Sequence, residues 1–312
     1  MADSTTPPSS YSTPLGFSQI TLSHHPASSA TITPIIVIRI SRVEKNNAFT
    51  SVMEDDLVRA FDMLDQDDRV KAIVVTGEGK NFCAGADLEI GLERTEGIRG
   101  KEHRDGGGRV ALAIHRCRKP TIAAIQGPAI GIGITMTLPM AIRLAWQGAK
   151  IGFVFSQRSV VMEATSSFFL PRLIGHSRAL YLTTTGSTLP ASSLHFGDLF
   201  HELLPSPQDI LPRALELAEQ IVKQTSTVST YLMREMMWRN PGSAEGAHLL
   251  DSELMWELYD KEDKKEGVIA FLQKRIPVMK GDLKGGMPRN VPWWEGIDTR
   301  PKSGERTVKS RL

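Results

Sequence analysis

Cysteine is scarce in this chain. Two thiols, Cys83 and Cys117, in 312 residues leave no disulfide framework, no CxxC pair and no Cys/His cluster of zinc-ligand spacing. That excludes a small disulfide-stapled scaffold and points to a reducing intracellular compartment. Long apolar runs are missing too, since no stretch reaches the roughly 18 residues of a membrane-spanning helix. The Ser-, Thr- and Pro-rich amino end has no basic stretch followed by an apolar one, so no secretory leader is expected. Neither sign of charge dominates. With 37 basic and 35 acidic residues, a net charge of +2 gives no general reason for nucleic acid or an anionic membrane as partner. No clear internal repeat is present. What remains, 41% hydrophobic and 23% charged, is the balance of a folded chain long enough for a sizeable core.

Patterning divides the chain. Residues 1–15, rich in Ser, Thr and Pro with little to bury, are expected to be disordered. Residues 31–42 (TITPIIVIRISR) predict a strand pair or one long strand, and 71–76 a short buried strand. Between them, Val52, Met53, Leu57, Phe61 and Leu64 recur at helical spacing over residues 51–65. Residues 88–108, charged and ending in Gly106-Gly107-Gly108, read as a mobile, mostly exposed insertion. A helix over 110–117 and a strand over 121–125 follow, and a further helix is expected to begin at 135–138. Strands at 142–145 and 150–155 lead to a helix over 166–174. Helices over 211–222, 229–239, 251–258 and 264–273 come next, and then a tail in which Trp293-Trp294 docks locally. The pattern predicts an α/β core over residues 16–210, a helical region over 211–280 and an extended tail over 281–312.

Two stretches carry the most information: residues 74–87, VVTGEGKNFCAGAD, and residues 119–135, KPTIAAIQGPAIGIGIT. Each reads as a buried strand running into a glycine-rich turn, where small residues let a ligand approach the backbone. Two such turns can aim two backbone N–H groups at one point, as a developing enolate oxygen requires. In this order and at this separation they resemble the crotonase (enoyl-CoA hydratase/isomerase) superfamily. The resemblance covers about residues 17–280. Lys45-Asn46-Asn47-Ala48-Phe49 is similar to the segment lining the family's CoA site, and KKEGVIAFLQKR at 264–275 to its terminal helix. It implies an α/β fold of repeated ββα turns wound in a spiral, whose last helices pack in a homotrimer, often doubled to a hexamer.

By register with that family, the oxyanion donors are the N–H groups of Ala86, after Gly85, and of Ile132, where many members have glycine. A backbone donor tolerates any side chain except proline. The resemblance places CoA against Lys45, Ala48, Ala84, Gly85, Asp87 and Gly131, with Lys274 reaching a neighbouring subunit's nucleotide. Lys80 is a further candidate. Asp87 itself reads as a brace or cap, and Glu89 stands where the family usually has a lysine.

Typical hydratases of the family use two glutamates, and the corresponding positions here hold Thr135 and Phe155. Neither shuttles a proton at neutral pH. Eight positions beyond Phe155, Met162-Glu163-Ala164-Thr165-Ser166-Ser167, continuing to Leu170-Pro171-Arg172, resembles Δ3,Δ2-enoyl-CoA isomerases, in which the matching glutamate is the base. A glutamate at a helix start is ordinarily a solvated cap. Apolar residues 160–162 and the pair Phe168-Phe169 instead predict a desolvated Glu163 with a raised pKa. The resemblance thus implies conversion of 3-enoyl-CoA to 2-enoyl-CoA, with no metal or redox cofactor and CoA as part of the substrate. Two alternatives stay open. One is a hydratase-like enzyme of a specialised pathway, such as a fungal toxin or siderophore acyl group; the other is a non-catalytic acyl-CoA binding protein. His103 and His115 lack Ser or Asp partners at triad spacing, and Cys83 reads as a small filler. Ser310-Arg311-Leu312 is a conservative variant of the Ser-Lys-Leu address, so a peroxisomal location and its import receptor as a partner are expected.

Overall fold

The computed structural model describes residues 7–12, 15–90 and 100–299. In chain order its elements begin with β1 (Ile20–His25), β2 (Ile35–Ile40), α1 (Ser51–Gln66), β3 (Ala72–Gly77), α2 (Gly106–Arg116), β4 (Thr121–Ile125), β5 (Ala129–Ile130), α3 (Ile132–Thr135), β6 (Ile142–Trp146) and β7 (Lys150–Gly152). There follow α4 (Ser166–Ile174), α5 (His176–Thr185), β8 (Thr188–Pro190), β9 (Glu202–Leu204), α6 (Pro207–Gln224), α7 (Thr227–Trp238), α8 (Ala244–Leu258) and α9 (Glu262–Leu272).

The first sheet has the order β1-β2-β3-β4-β6-β9, antiparallel at β1/β2 and parallel elsewhere. Its central strands are apolar on both faces, as parallel strands covered on both sides must be. Ile36, Ile38, Ile40, Ile73, Val75, Ala123 and Ile125 face the main core with α1 and α2. The alternate residues Ile35, Val37, Ala72, Val74, Ile122 and Ala124 pack under Ile210, Ala214 and Ala218 of α6. The expected helical region from 211 onward therefore needs a correction. Helix α6, with Ser206 capping it and Pro207 in its first turn, covers the sheet and belongs to the core.

After each inner strand the chain steps into a second layer. β5 pairs in parallel with β7, which pairs antiparallel with β8. Single bridges extend that layer: Cys83 to Ala129, and Phe49 to Ala86. So β2 is followed by Phe49, β3 by the 83–86 turn, β4 by β5 and β6 by β7, each step adding one turn to a spiral. This is the arrangement of repeated turns anticipated above, and it stacks the two glycine motifs side by side.

Several expectations change. The strand partner of β2 is β1, upstream, rather than part of residues 31–42. Helix α3 ends at Thr135 instead of beginning there, because Gly131 (φ +53°) turns the chain directly after β5. Residues 88–108 are not one exposed insertion. Asp105 caps α2 by accepting from Gly108 N–H at 2.6 Å, and Gly107 and Gly108 are buried; residues 91–99 lie outside the described residues. Within the amino end expected to be disordered, Tyr11 is buried, and its hydroxyl donates to Asp67 at 3.0 Å while its N–H donates to His24 Nε2 at 3.0 Å. One aromatic ring with two bonded polar groups is enough to fasten that segment. The tail docks as expected: Trp293 and Trp294 stack edge to face, and Arg239 lies over Trp294 at 4.4 Å.

Candidate active site

The first turn is built by strand-like pairing with residues 46–49. Phe49 N–H donates to Gly85 O (2.8 Å) and Asp87 N–H to Phe49 O (2.9 Å), so the residue between them, Ala86, turns its own N–H to the opposite side. Ala84 N–H donates to Asn46 O at 3.2 Å. Arg42 clamps the same corner, donating to Ala48 O and to Asp87 Oδ2 at 2.6 Å, and this bond holds the Asp87 carboxyl below the usual carboxylate range. Asp87 is thus the brace that the sequence reading described.

The second turn presses on the first. Ile130 N–H donates to Cys83 O at 3.1 Å, and a Cβ on Gly133 would lie 2.3 Å from that same oxygen. Gly131 N–H is taken by Gly152 O at 2.8 Å. Ile132, first residue of α3, has no acceptor within its own helix for its N–H. Ala86 and Ile132 therefore both keep an outward main-chain donor at one seam, the minimum for an oxyanion site.

Glu163 meets that seam. Its Oε1 accepts from the Thr135 hydroxyl at 2.7 Å. Its Oε2 would be 1.7 Å from a Cβ at Gly107, and the same Cβ would be 2.7 Å from Ile132 Cδ1. The acid and Ile132 thus abut one point, and only glycine at 107 leaves room for them. Burial pushes the Glu163 carboxyl up to about 7, helped by the negative charge of Asp105 and opposed by the Thr135 hydrogen bond. The loop is held from both sides: Asp105 Oδ1 accepts from Ala164 N–H at 3.1 Å, and the Ser166 hydroxyl donates to Glu163 O at 2.5 Å. Ala164 (φ +54°) and Thr165 (φ +53°) are both left-handed, a local strain tolerated where the surroundings dictate the backbone.

The other candidates divide. Phe155, at the second hydratase position, is buried at the start of a short turn and brings no acid. Lys45 lies by the first turn but is paired with Glu89 at 2.5 Å. Lys274 is exposed after α9, and among the described residues its side chain makes no hydrogen bond or ion pair. Lys80 is exposed. His115 is buried against Phe169 and Trp238, and desolvation lowers it to about 4, which makes it a neutral packing group. The buried Cys83 thiol is pushed up to about 12, consistent with a filler. Ser310, Arg311 and Leu312 lie outside the described residues. Asp105, Gly107 and Thr135 as supports of Glu163 were not foreseen. An aspartate directly before a helical run was the available sign for the first of them.

Comparison with known proteins follows this geometry. Residues 31–282 match the family model described as Enoyl-CoA hydratase/isomerase. The chain belongs to the enoyl-CoA hydratase/isomerase family. It is 51% identical over 250 residues to enoyl-CoA hydratase AFT3-1 of Alternaria alternata, covering 80% of this chain and 84% of that one. It is 50% identical over 243 residues to enoyl-CoA hydratase ACTT3 of the same fungus, covering 78% and 82%. Among solved structures, a probable enoyl-CoA hydratase/isomerase from Mycobacterium abscessus superposes with a TM-score of 0.74 at 28% identity, covering 80% of this chain and 96% of that one. An enoyl-CoA hydratase from Geobacillus kaustophilus gives 0.75 at 26% identity, covering 85% and 99%. The crotonase fold is thereby shown for this chain, and the family to which it belongs is one that binds acyl-CoA.

Proposed function

We propose that the protein moves the double bond of a 3-enoyl-CoA to give the 2-enoyl-CoA. The thioester carbonyl lies between the N–H groups of Ala86 and Ile132, and these stabilise the dienolate formed when the C2 proton leaves. Glu163 takes that proton and returns it at C4 while the electron pair shifts along the chain. Reactant and product have the same atoms and oxidation level, so neither metal nor redox cofactor is called for. One observation carries the reading: the Glu163 carboxyl accepts at 2.7 Å from a threonine hydroxyl at the seam, where a hydratase would have a second glutamate, and burial raises it to about 7. A base with a pKa near working pH is well suited to both steps.

A second reading is favoured by the names of the half-identical relatives, both enoyl-CoA hydratases. In it, the same oxyanion site serves a hydratase-like step of a specialised pathway, such as one making a fungal toxin or siderophore acyl group. The non-catalytic binding reading has less support, because Glu163 is turned to the seam and not to bulk solvent. Purified protein assayed with 3-enoyl-CoA and with 2-enoyl-CoA separates the readings. Appearance of the conjugated thioester, lost by several orders of magnitude in Glu163→Gln, supports isomerisation. Hydration of 2-enoyl-CoA without isomerisation supports the second reading, and turnover of either substrate by Glu163→Gln at the parent rate removes the glutamate from the mechanism.

Assembly and address belong to the same proposal. Trp256 on α8 is 73% exposed and Phe271 on α9 is 81% exposed, with Met255, Ile269 and Leu272 exposed on the same helices. Apolar side chains bared in this way mark an interaction surface, and a homotrimer or dimer of trimers covers it. Light scattering on the purified chain tests this. Loss of peroxisomal import on removing Ser310–Leu312 tests the address.

A further inference from the structure

The two oxygens of Glu163 are not equivalent. Oε1 is held at 2.7 Å by the hydroxyl of Thr135, a fully buried side chain on α3. Oε2 accepts no hydrogen bond from the described residues and lies over the α carbon of Gly107, beside Ile132 Cδ1. The backbone leaves the carboxyl little freedom. Ser166 N–H and hydroxyl both donate to Glu163 O, at 3.0 and 2.5 Å, and Ala164 N–H is tied to Asp105. Thr135 occupies the position that holds a glutamate in typical hydratases. A carboxylate there would face Glu163 as a second negative charge and could not donate to it while ionised. A threonine hydroxyl has one hydrogen to give, and here it goes to Oε1.

We propose that Thr135 is a positioning residue for Glu163: its hydroxyl fixes Oε1, so that Oε2 alone takes and returns the substrate proton. This rests on the reading of Glu163 as the base. The bond also favours the ionised carboxyl, which keeps the base available at neutral pH despite burial. The charged and titratable groups around the carboxyl work in the other direction or lie farther out. Asp105, from the cap of α2, repels it, and Cys83 faces it from the first turn as a neutral thiol. Glu54, against neighbouring Gly106, is neutralised by Arg109. The loop itself adds no charge from Val160 to Phe169 other than Glu163.

The test compares Thr135→Val, which keeps the shape and loses the donor, with Thr135→Ser, which keeps the donor. Thr135→Ala serves as a second donorless variant that cannot clash. Two readouts are taken: kcat and kcat/KM against pH, and the titration of Glu163 by 13C-carboxyl NMR without substrate, assigned with Glu163→Gln. Removing a hydrogen bond to the ionised form raises the pKa, so the rising limb of kcat/KM moves up by about one pH unit in the donorless variants. At pH below the limb that is about a tenfold loss, carried by kcat with KM little changed, and Thr135→Ser restores the parent profile. A limb and an NMR titration that stay in place in Thr135→Val and Thr135→Ala overturn the proposal, whatever their rates. If Glu163→Gln retains full activity the base reading fails instead, and the NMR titration still decides whether Thr135 controls the carboxyl.

Discussion

Replacing Gly107 by alanine puts the geometry of the site under direct strain. The added Cβ would lie 1.7 Å from Glu163 Oε2 and 2.7 Å from Ile132 Cδ1, while ordinary contact begins near 3.4 Å. The carboxyl must therefore withdraw by about 1.7 Å, or α2 must shift, since Glu163 is already pinned by Thr135 on its other oxygen. Displacement of a reacting group by about 1 Å costs roughly a hundredfold in rate. A loss of kcat of at least that size is expected, with KM for acyl-CoA altered much less. Stability should not fall in proportion, because alanine is favoured over glycine in a helix by about 1 kcal/mol. Gly106→Ala is the control. Its Cβ would meet Glu54 Oε2 at 2.1 Å, but that oxygen is the far end of a flexible side chain paired with the half-exposed Arg109, outside the proposed proton path, and can shift with it. Its activity should stay within a few-fold of the parent. Steady-state kinetics of both variants, with thermal melts to confirm folding, decide the matter. Parental kcat in Gly107→Ala, or equal losses in the two, would refute the placement of Glu163.

Stability should depend on the protonation of Glu163. Its carboxyl ionises near 4.5 in the unfolded chain and at about 7 in the folded one, so between these values only the unfolded state gives up the proton. Folding stability therefore falls as pH rises through that window, by on the order of 3 kcal/mol in all. Urea titrations from pH 4.5 to 8 should show Glu163→Gln gaining on the parent across the window, and parallel curves would contradict it. Lys45 is paired with Glu89, and if Lys45 meets a CoA phosphate, as the family resemblance implies, it exchanges that partner on binding. Glu89→Gln should lower KM for acyl-CoA a few-fold and leave a pantetheine thioester, which lacks the nucleotide, unchanged; equal effects on both would remove Lys45 from the nucleotide site. Tyr11→Phe loses the bond to Asp67 and should cost about 1 kcal/mol in urea unfolding with activity unaltered. A midpoint identical to the parent would mean that the strap is unimportant.

The inner strands β2, β3, β4 and β6 of the first sheet were legible because they are written in mostly apolar residues, and the two glycine turns because their sequences are unusual; β1, with the mixed sequence ITLSHH, was not. The legibility fades where structure depends on a single distant contact. Nothing local marks Tyr11 as buried: its partners, His24 and Asp67, arrive from β1 and from the end of α1. The short strands β8 and β9 owe their assignment to β7 and β6 rather than to any pattern of their own. Residues 106–108 misled for a different reason. Three successive glycines suggest a mobile linker, yet each has a carboxylate where its side chain would be: Glu54 at 106, Glu163 at 107 and Asp105 at 108. Lack of bulk here records crowding from outside the segment.

That crowding connects the fold to the chemistry. An acid placed in an apolar setting ordinarily escapes its desolvation by turning to water, and a long flexible glutamate can do so easily. Here the escape is closed by the left-handed pair Ala164-Thr165, by Asp105 holding the loop to α2, and by Thr135 holding Oε1. The cost of keeping the carboxyl in place is spread over backbone strain and a raised pKa, and both are tolerable because a large core surrounds the spiral. Loosening the Ala164-Thr165 turn or the tie to Asp105 should let Glu163 relax toward solvent, lowering its pKa while moving it off the seam. Loss of the Thr135 bond alone predicts the opposite pKa change so long as the other restraints hold. The direction of the titration shift in each variant therefore distinguishes a base that has lost its hydrogen bond from one that has left the site.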